Sequence, residues 1–310
     1  MIPWTQIIIL LISGVFLTGA AHLVIQQSTR IARRFGLSDF TMGFLLLGLF
    51  TSMPELFVAI QSVSDGIPQL SVGNLLGGSI LLLSFVMGVT SIIQGQVALD
   101  HRLNHRELIL MISVIAAPIA VLWDGQLTRI EGGVLVGLYI LHSALLNHGN
   151  HKGNRKTKQS QHGLVRSLLL LALGITTLFI SSRVIVTQAE FLMRMFSIAP
   201  VLFGLFFLSI GTNLPELALA LDGIRNRRKE IAFGDFLGSS AANTLILGAI
   251  GLVSPFSAVG HGRIPGATLI LAALCLYFFW AASSGRSISR REGFGLLGFY
   301  ILFAIYELAF

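Results

Sequence analysis

The sequence predicts an all-α integral membrane protein with ten transmembrane helices arranged as two inverted five-helix repeats. Three observations lead there. The 310 residues are 54% hydrophobic and only 11% charged, with a mean hydropathy of +0.81, far from the balance a soluble domain needs to cover its core. The apolar residues fall into runs of about 20, long enough to span a bilayer as helices, without the alternation of an outer-membrane barrel. Finally, parts of the second and third runs recur in the seventh and eighth.

The first run, roughly 5–27, follows Met1-Ile2-Pro3-Trp4, which lacks a basic leader and a clear cleavage site; a retained span is expected rather than a signal peptide. The second and third runs, roughly 38–62 and 69–94, carry Thr51-Ser52-Met53-Pro54-Glu55-Leu56 and Gly73-Asn74-Leu75-Leu76-Gly77-Gly78-Ser79. The fourth and fifth, roughly 107–123 and 130–147, complete the first repeat, residues 1–147. The polar segment 148–163 then divides the chain. The sixth run is roughly 164–186. The seventh and eighth, roughly 197–224 and 231–254, carry Thr212-Asn213-Leu214-Pro215-Glu216-Leu217 and Gly234-Asp235-Phe236-Leu237-Gly238-Ser239-Ser240. The ninth, roughly 264–283, holds the single cysteine, Cys275, which excludes an internal disulfide and a cysteine-based metal cluster. The tenth, roughly 292–309, closes the second repeat, residues 164–310. The duplicated cores cover about 40–94 and 201–254.

Basic residues orient the spans. Of the 21 Lys and Arg, all but Arg129, Arg183, Arg194 and Arg263 lie in the odd-numbered connections. By the positive-inside rule those connections, 148–163 included, are cytoplasmic and both termini lie outside. The second copy follows the first by 161 residues (51 to 212, 55 to 216, 73 to 234, 79 to 240), five spans later. It therefore enters the membrane upside down, the signature of transporters that bind substrate between inverted repeats.

Glu55 and Glu216 are costly in hydrocarbon and mark a candidate site. Pro54 and Pro215 cannot donate to the carbonyls of Phe50 and Gly211. Those carbonyls, with the Thr51, Ser52 and Thr212 hydroxyls, become free oxygens near a carboxylate, tolerated at membrane depth only where they line a cavity or are buried in protein. An anionic, oxygen-rich, dehydrated site suits a hard cation such as Na⁺ or Ca²⁺. The competing reading is a proline kink with a buried structural glutamate. Gly73, Gly77, Gly78, Gly234 and Gly238 allow close helix approach. Asn74, Asp235, Ser239, Ser240 and Asn243 add oxygens; Asp235 either coordinates an ion or sits paired or protonated near the entrance.

Other features carry less. His148 and His151 read as a solvated loop, His22 and His142 as satisfied helix histidines, and Asp222 and Glu307 as interfacial residues near span ends. There is no nucleotide motif and no basic domain for nucleic acid.

The paired elements resemble the α-repeats of the calcium/cation antiporter superfamily, the sodium/calcium exchangers and their relatives. That pattern is G-T-S-x-P-E on the second and seventh helices and G-N-x-x-G-S-N-x-x-N/D on the third and eighth. It is matched here by Phe50 to Glu55, Gly211 to Glu216, Gly73 to Leu82 and Gly234 to Asn243. The resemblance implies two inverted five-helix repeats, a polar centre from helices 2, 3, 7 and 8, and helices 1 and 6 sliding against that core. It assigns Glu55, Glu216 and Asn243 as ion ligands, with Thr51, Ser52, Thr212, Asn213, Ser239, Asn74 and Asp235 around them. Three positions depart from the pattern: Leu82 stands opposite Asn243, Gly78 opposite Ser239, and Asn213 replaces a serine. Water, a backbone carbonyl or Ser79 must then replace the lost ligands, and the shortfall on one side is expected either to weaken Ca²⁺ binding or to change the number of coupled ions.

The expectation is a secondary active antiporter of the inner (plasma) membrane exchanging Na⁺ for Ca²⁺, with small cations and the lipid bilayer as partners and no cofactor. The alternative is H⁺-coupled exchange at the altered site, because two adjacent carboxylates resist carrying two charges together. A channel, a transport-deficient homologue and an intramembrane enzyme are weaker readings; no nucleophile or histidine lies at suitable spacing for the last.

Overall fold

The structure, a computed structural model, describes residues 4–34, 47–98, 105–148, 161–217, 220, 229–257, 263–285 and 287–309. It is mostly helical. The first half contains α1 (Trp4–Arg34), α2 (Leu47–Thr51), α3 (Met53–Ser64), α4 (Pro68–Ile80), a π-helical turn (Leu81–Val86), α5 (Met87–Gln94), α6 (His105–Val121) and α7 (Arg129–His148). The second contains α8 (Gln161–Phe196), α9 (Pro200–Phe203), a second π-helical turn (Gly204–Leu208), α10 (Ser209–Thr212), α11 (Lys229–Val253), α12 (Arg263–Gly285) and α13 (Arg290–Ala309). Among the described residues, six stretches are long and apolar enough to cross a membrane: Trp4–Ser28, Pro68–Gln94, Leu164–Phe196, Phe236–Val253, Ile264–Gly285 and Arg290–Ala309. Pro200–Thr212 is a shorter apolar helical stretch.

Proline sets several boundaries. Pro68 and Pro200 open α4 and α9 at the first turn, where a missing N–H costs nothing. Pro54 does the same for α3.

The connections also pair. Strand β1 (Gln96–Ala98) runs antiparallel to β4 (Ser287–Ser289), with Val97 opposite Ile288. Strand β2 (Gln126–Leu127) pairs with β3 (Phe256–Ser257). Each ribbon joins a connection of the first half to one of the second.

The apolar interior divides in two. The smaller cluster joins α1 to α8 through Leu17, Ala20, Ala21 and Val24 against Leu178, Ile185, Val186 and Ala189. It touches the rest of the molecule through Val58, Leu70, Phe203 and Leu208. Gly174 of α8 lies against Val24. The larger cluster contains α4 to α7 and α11 to α13.

At the centre, helices cross at backbone distance. A Cβ on Gly73 or Gly77 would meet the carbonyl of Val201 or Leu205, and one on Gly204 the Leu70 carbonyl. A Cβ on Gly48 would lie 2.6 Å from the Gly238 carbonyl carbon. Small residues permit such approach where lipid supplies no hydrophobic drive between helices.

Glu307 is 1% exposed, buried near the end of α13 rather than solvated at an interface, because it lies one turn beyond the fully buried Phe303 on the inward face of that helix.

Candidate functional site

Both Pro-Glu elements break their helices at the same point. Helix α2 ends at Thr51, and Ser52 leaves helical geometry with ψ of 9° before Pro54 starts the next turn. Helix α10 ends at Thr212, and Asn213 has ψ of 11° before Pro215. A proline cannot continue the ladder, so its predecessors tilt out of register. The ladder resumes at Leu56 N–H to the Ser52 carbonyl (3.0 Å) and Leu217 N–H to the Asn213 carbonyl (3.1 Å). The breaks turn Thr51 and Thr212 toward the partner repeat.

Hydrogen bonds then cross between the halves. The Thr51 and Ser239 hydroxyls are 2.6 Å apart, and Ser52 Oγ donates to the Ser239 carbonyl at 3.4 Å. Thr212 Oγ1 donates to Asn74 Oδ1 at 3.1 Å. The Glu55 carboxylate faces the same Thr212 hydroxyl. Asn243 Nδ2 donates to the Leu75 carbonyl (3.3 Å) and to Ser79 Oγ (3.2 Å). Thr51, Ser52, Glu55, Asn74, Thr212, Asn213, Glu216, Ser239 and Asn243 are each at most 3% exposed. Nine of the ten expected site residues are thus buried in α2 to α4, the 209–217 segment and α11, and seven of them bond across the repeat boundary or face it directly. The Asp235 side chain lies outside the described residues. Two buried carboxylates with buried hydroxyls and amide oxygens on neighbouring turns are the donor types that suit a hard cation rather than a soft one. Among the described residues no group of three His, Cys, Asp or Glu side chains converges, so any ion held here relies on hydroxyls, amides and backbone for the remaining ligands.

The two halves are not equal. Asn213 Nδ2 donates to the Ser209 carbonyl at 2.8 Å and lies 3.4 Å from Thr212 Oγ1. The same nitrogen is 2.9 Å from where a Cβ of Gly78 would stand. Leu82 is fully buried in the Leu81–Val86 π-helical turn. Its counterpart region, around Asn243, is uninterrupted α-helix. A π-helical turn inserts a residue and re-aims the side chains beyond it, often at functional sites.

Nothing in the sequence signals the Ser209 carbonyl or the two π-helical turns; Ser79, named above beside water and a backbone carbonyl as a substitute ligand, accepts from Asn243. His22 lies 2.8 Å from Gln26 on its own helix, and His142 is buried in α7. Asp222 and His151 lie outside the described residues.

The family model described as "Sodium/calcium exchanger protein" matches residues 5–146 and 166–309. The chain is 28% identical to inner membrane protein YrbG of Escherichia coli (strain K12), over 96% of this chain and 95% of that protein. It is 24% identical to the sodium/calcium exchanger MaX1 of Methanosarcina acetivorans, over 96% and 97%. In three dimensions it is similar to the sodium-calcium exchanger NCX_Mj soaked with 2.5 mM Na⁺ and 1 mM Sr²⁺: TM-score 0.70, 23% identity, 99% of both chains covered.

Proposed function

Because this chain belongs to the sodium/calcium exchanger family, we propose that it is a secondary active antiporter that exchanges Na⁺ for Ca²⁺ across the inner membrane by alternating access. The observation that carries this reading is the joining of both Pro-Glu elements in one buried cluster, Thr51 to Ser239 and Thr212 to Asn74, with Glu55 facing Thr212. Glu55 and Glu216 neutralise one divalent cation or two monovalent ones. Thr51, Ser52, Thr212, Asn213, Asn74, Ser239, Asn243 and Asp235 complete its surroundings.

The proposed architecture is ten spans in two inverted repeats, 1–147 and 164–310, with the loop 148–163 in the cytoplasm and both termini outside. The two ribbons support it. In that topology β1 and β4 both lie on the cytoplasmic side, and β2 and β3 both lie outside, so each observed pairing joins connections of the same face. The separate α1–α8 cluster supports a pair that slides against the core, opening the site to one face at a time. No step needs a cofactor.

A second reading, H⁺-coupled exchange, is favoured by Leu82 and Gly78, which supply no side-chain oxygen. Calcium uptake into proteoliposomes under imposed Na⁺ and pH gradients separates the two. Uptake driven by the Na⁺ gradient supports the first reading, uptake driven only by the pH gradient the second, and uptake blind to both gradients sinks antiport. E55Q and E216Q are expected to abolish the coupled uptake; if neither changes it, the site is wrong.

A further inference from the structure

We propose that the Asn213 amide stands in for a co-transported monovalent cation, filling in the second half of the molecule a cation position that the first half leaves open, so that each cycle moves one monovalent cation fewer than a symmetric site would. This rests on the antiporter reading above and deepens it.

The offset of 161 residues matches Gly48 with Ser209, Thr51 with Thr212, Ser52 with Asn213, and Gly78 with Ser239. In the first half these positions present oxygens. Thr51 Oγ1 is 3.2 Å from the Gly48 carbonyl and 2.6 Å from Ser239 Oγ, and Ser52 Oγ is 3.4 Å from the Ser239 carbonyl. Hydroxyl hydrogens rotate, so this group can turn its lone pairs toward a cation.

In the second half a nitrogen sits among the matching atoms. Asn213 Nδ2 is 2.8 Å from the Ser209 carbonyl and 3.4 Å from Thr212 Oγ1, the counterparts of the Gly48 carbonyl and Thr51 Oγ1. Only the NH₂ end of an amide can donate to a carbonyl, so the orientation follows from the bond. The partly positive N–H groups satisfy the oxygens a small cation would bind, yet they carry no charge that can leave.

Gly78 makes room for this. The space where Ser239 has its side chain is, at Gly78, bounded by Asn213 Nδ2 at 2.9 Å and Asn243 Nδ2 at 3.3 Å from the missing Cβ. A serine at 78 would press on the amide, which would have to turn away from its place to make room. The two departures from the repeat pattern, Ser to Asn at 213 and Ser to Gly at 78, are therefore one exchange: an amide reaches from one helix into the volume vacated by the other.

The test measures monovalent and calcium fluxes together, with radioactive sodium and calcium and a pH dye, in proteoliposomes holding wild type, N213S/G78S and the mirror exchange S52N/S239G. N213S/G78S is expected to move one more monovalent cation per calcium than wild type, and S52N/S239G one fewer. G78S alone, with the amide still present, is expected to transport several-fold more slowly than the double variant. Equal ratios in wild type and N213S/G78S overturn the inference while leaving antiport standing. Wild-type fluxes uncoupled from both gradients overturn antiport instead. For any variant that folds without transporting, the dependence of melting temperature on sodium concentration in detergent counts bound ions. A steeper dependence in N213S/G78S than in wild type supports the inference, and an unchanged one overturns it.

Discussion

The Thr51 and Ser239 hydroxyls meet at 2.6 Å across 188 residues of chain. The pair bridges the helix break of one repeat to the glycine-rich helix of the other, so it reports directly on whether the two halves share a site.

Removing that bridge gives a first expectation. A buried hydrogen bond contributes about 1 kcal/mol net, so T51V and S239A should each raise the half-saturating calcium concentration by roughly five-fold. If both hydroxyls act on one ion, T51V/S239A should cost less than the two single changes combined, with a coupling of about 1 kcal/mol. Strict additivity in transport assays would show that they act separately.

Cation binding should stabilise the fold. A ligand at one hundred times its Kd adds about 2.7 kcal/mol to the native state. Calcium should therefore raise the melting temperature of the detergent-solubilised wild type. In E55Q the cation loses half its counter-charge, and the rise should vanish. Without cations E55Q should melt higher than wild type, because a buried carboxylate lacking its ion is costly. A calcium-dependent rise of equal size in E55Q would remove Glu55 from the site.

Gly77 lies where a Cβ would strike the Leu205 carbonyl, backbone that cannot step aside. G77A should destabilise by about 1–3 kcal/mol as overpacking, visible in thermal unfolding. At Gly14 nothing lies within 4 Å of an added Cβ, so G14A should be neutral or slightly stabilising, since alanine favours a helix more than glycine does. Equal effects at the two positions would mean the crossing is looser than described.

Arg183 of α8 bonds Asp65 at the end of α3 (2.5 Å) and Gln61 (3.2 Å). Its side chain is 53% exposed, so the pair should be worth no more than about 1 kcal/mol of stability. It nevertheless links the α1–α8 pair to the core. R183Q should leave the melting temperature almost unchanged while shifting the ratio of outward to inward accessible protein, read by thiol labelling of a cysteine introduced beside the site. The charge swap D65R/R183D should restore the wild-type ratio. A ratio unaffected by R183Q would mean that the link takes no part in the motion.

The sequence carried the mostly helical membrane fold, the paired breaks and the burial of the candidate residues around them, because proline, an intramembrane carboxylate and clustered glycine each impose a local constraint that survives without knowledge of neighbours. Thr51, Asn74 and Ser239 were legible for that reason. The asymmetry was legible only as mismatch: Gly78 and Asn213 read as two separate losses, since nothing local reveals that one side chain enters the other's space. The π-helical turns at Leu81–Val86 and Gly204–Leu208 have no compositional signal; they arise from packing. Glu307 misled because proximity to a span end says nothing about which way a helix face turns.

The two small ribbons have a consequence for how the chain could be divided. Each stitches the first half to the second, one through Gln96–Ala98 with Ser287–Ser289 and one through Gln126–Leu127 with Phe256–Ser257, and the central glycine crossings lie between the same partners. Continuity of the polypeptide between the halves is therefore redundant for recognition. Residues 1–155 and 156–310, made as two separate peptides in one cell, carry all the surfaces they need to find each other. A gene split there should still yield an assembled protein.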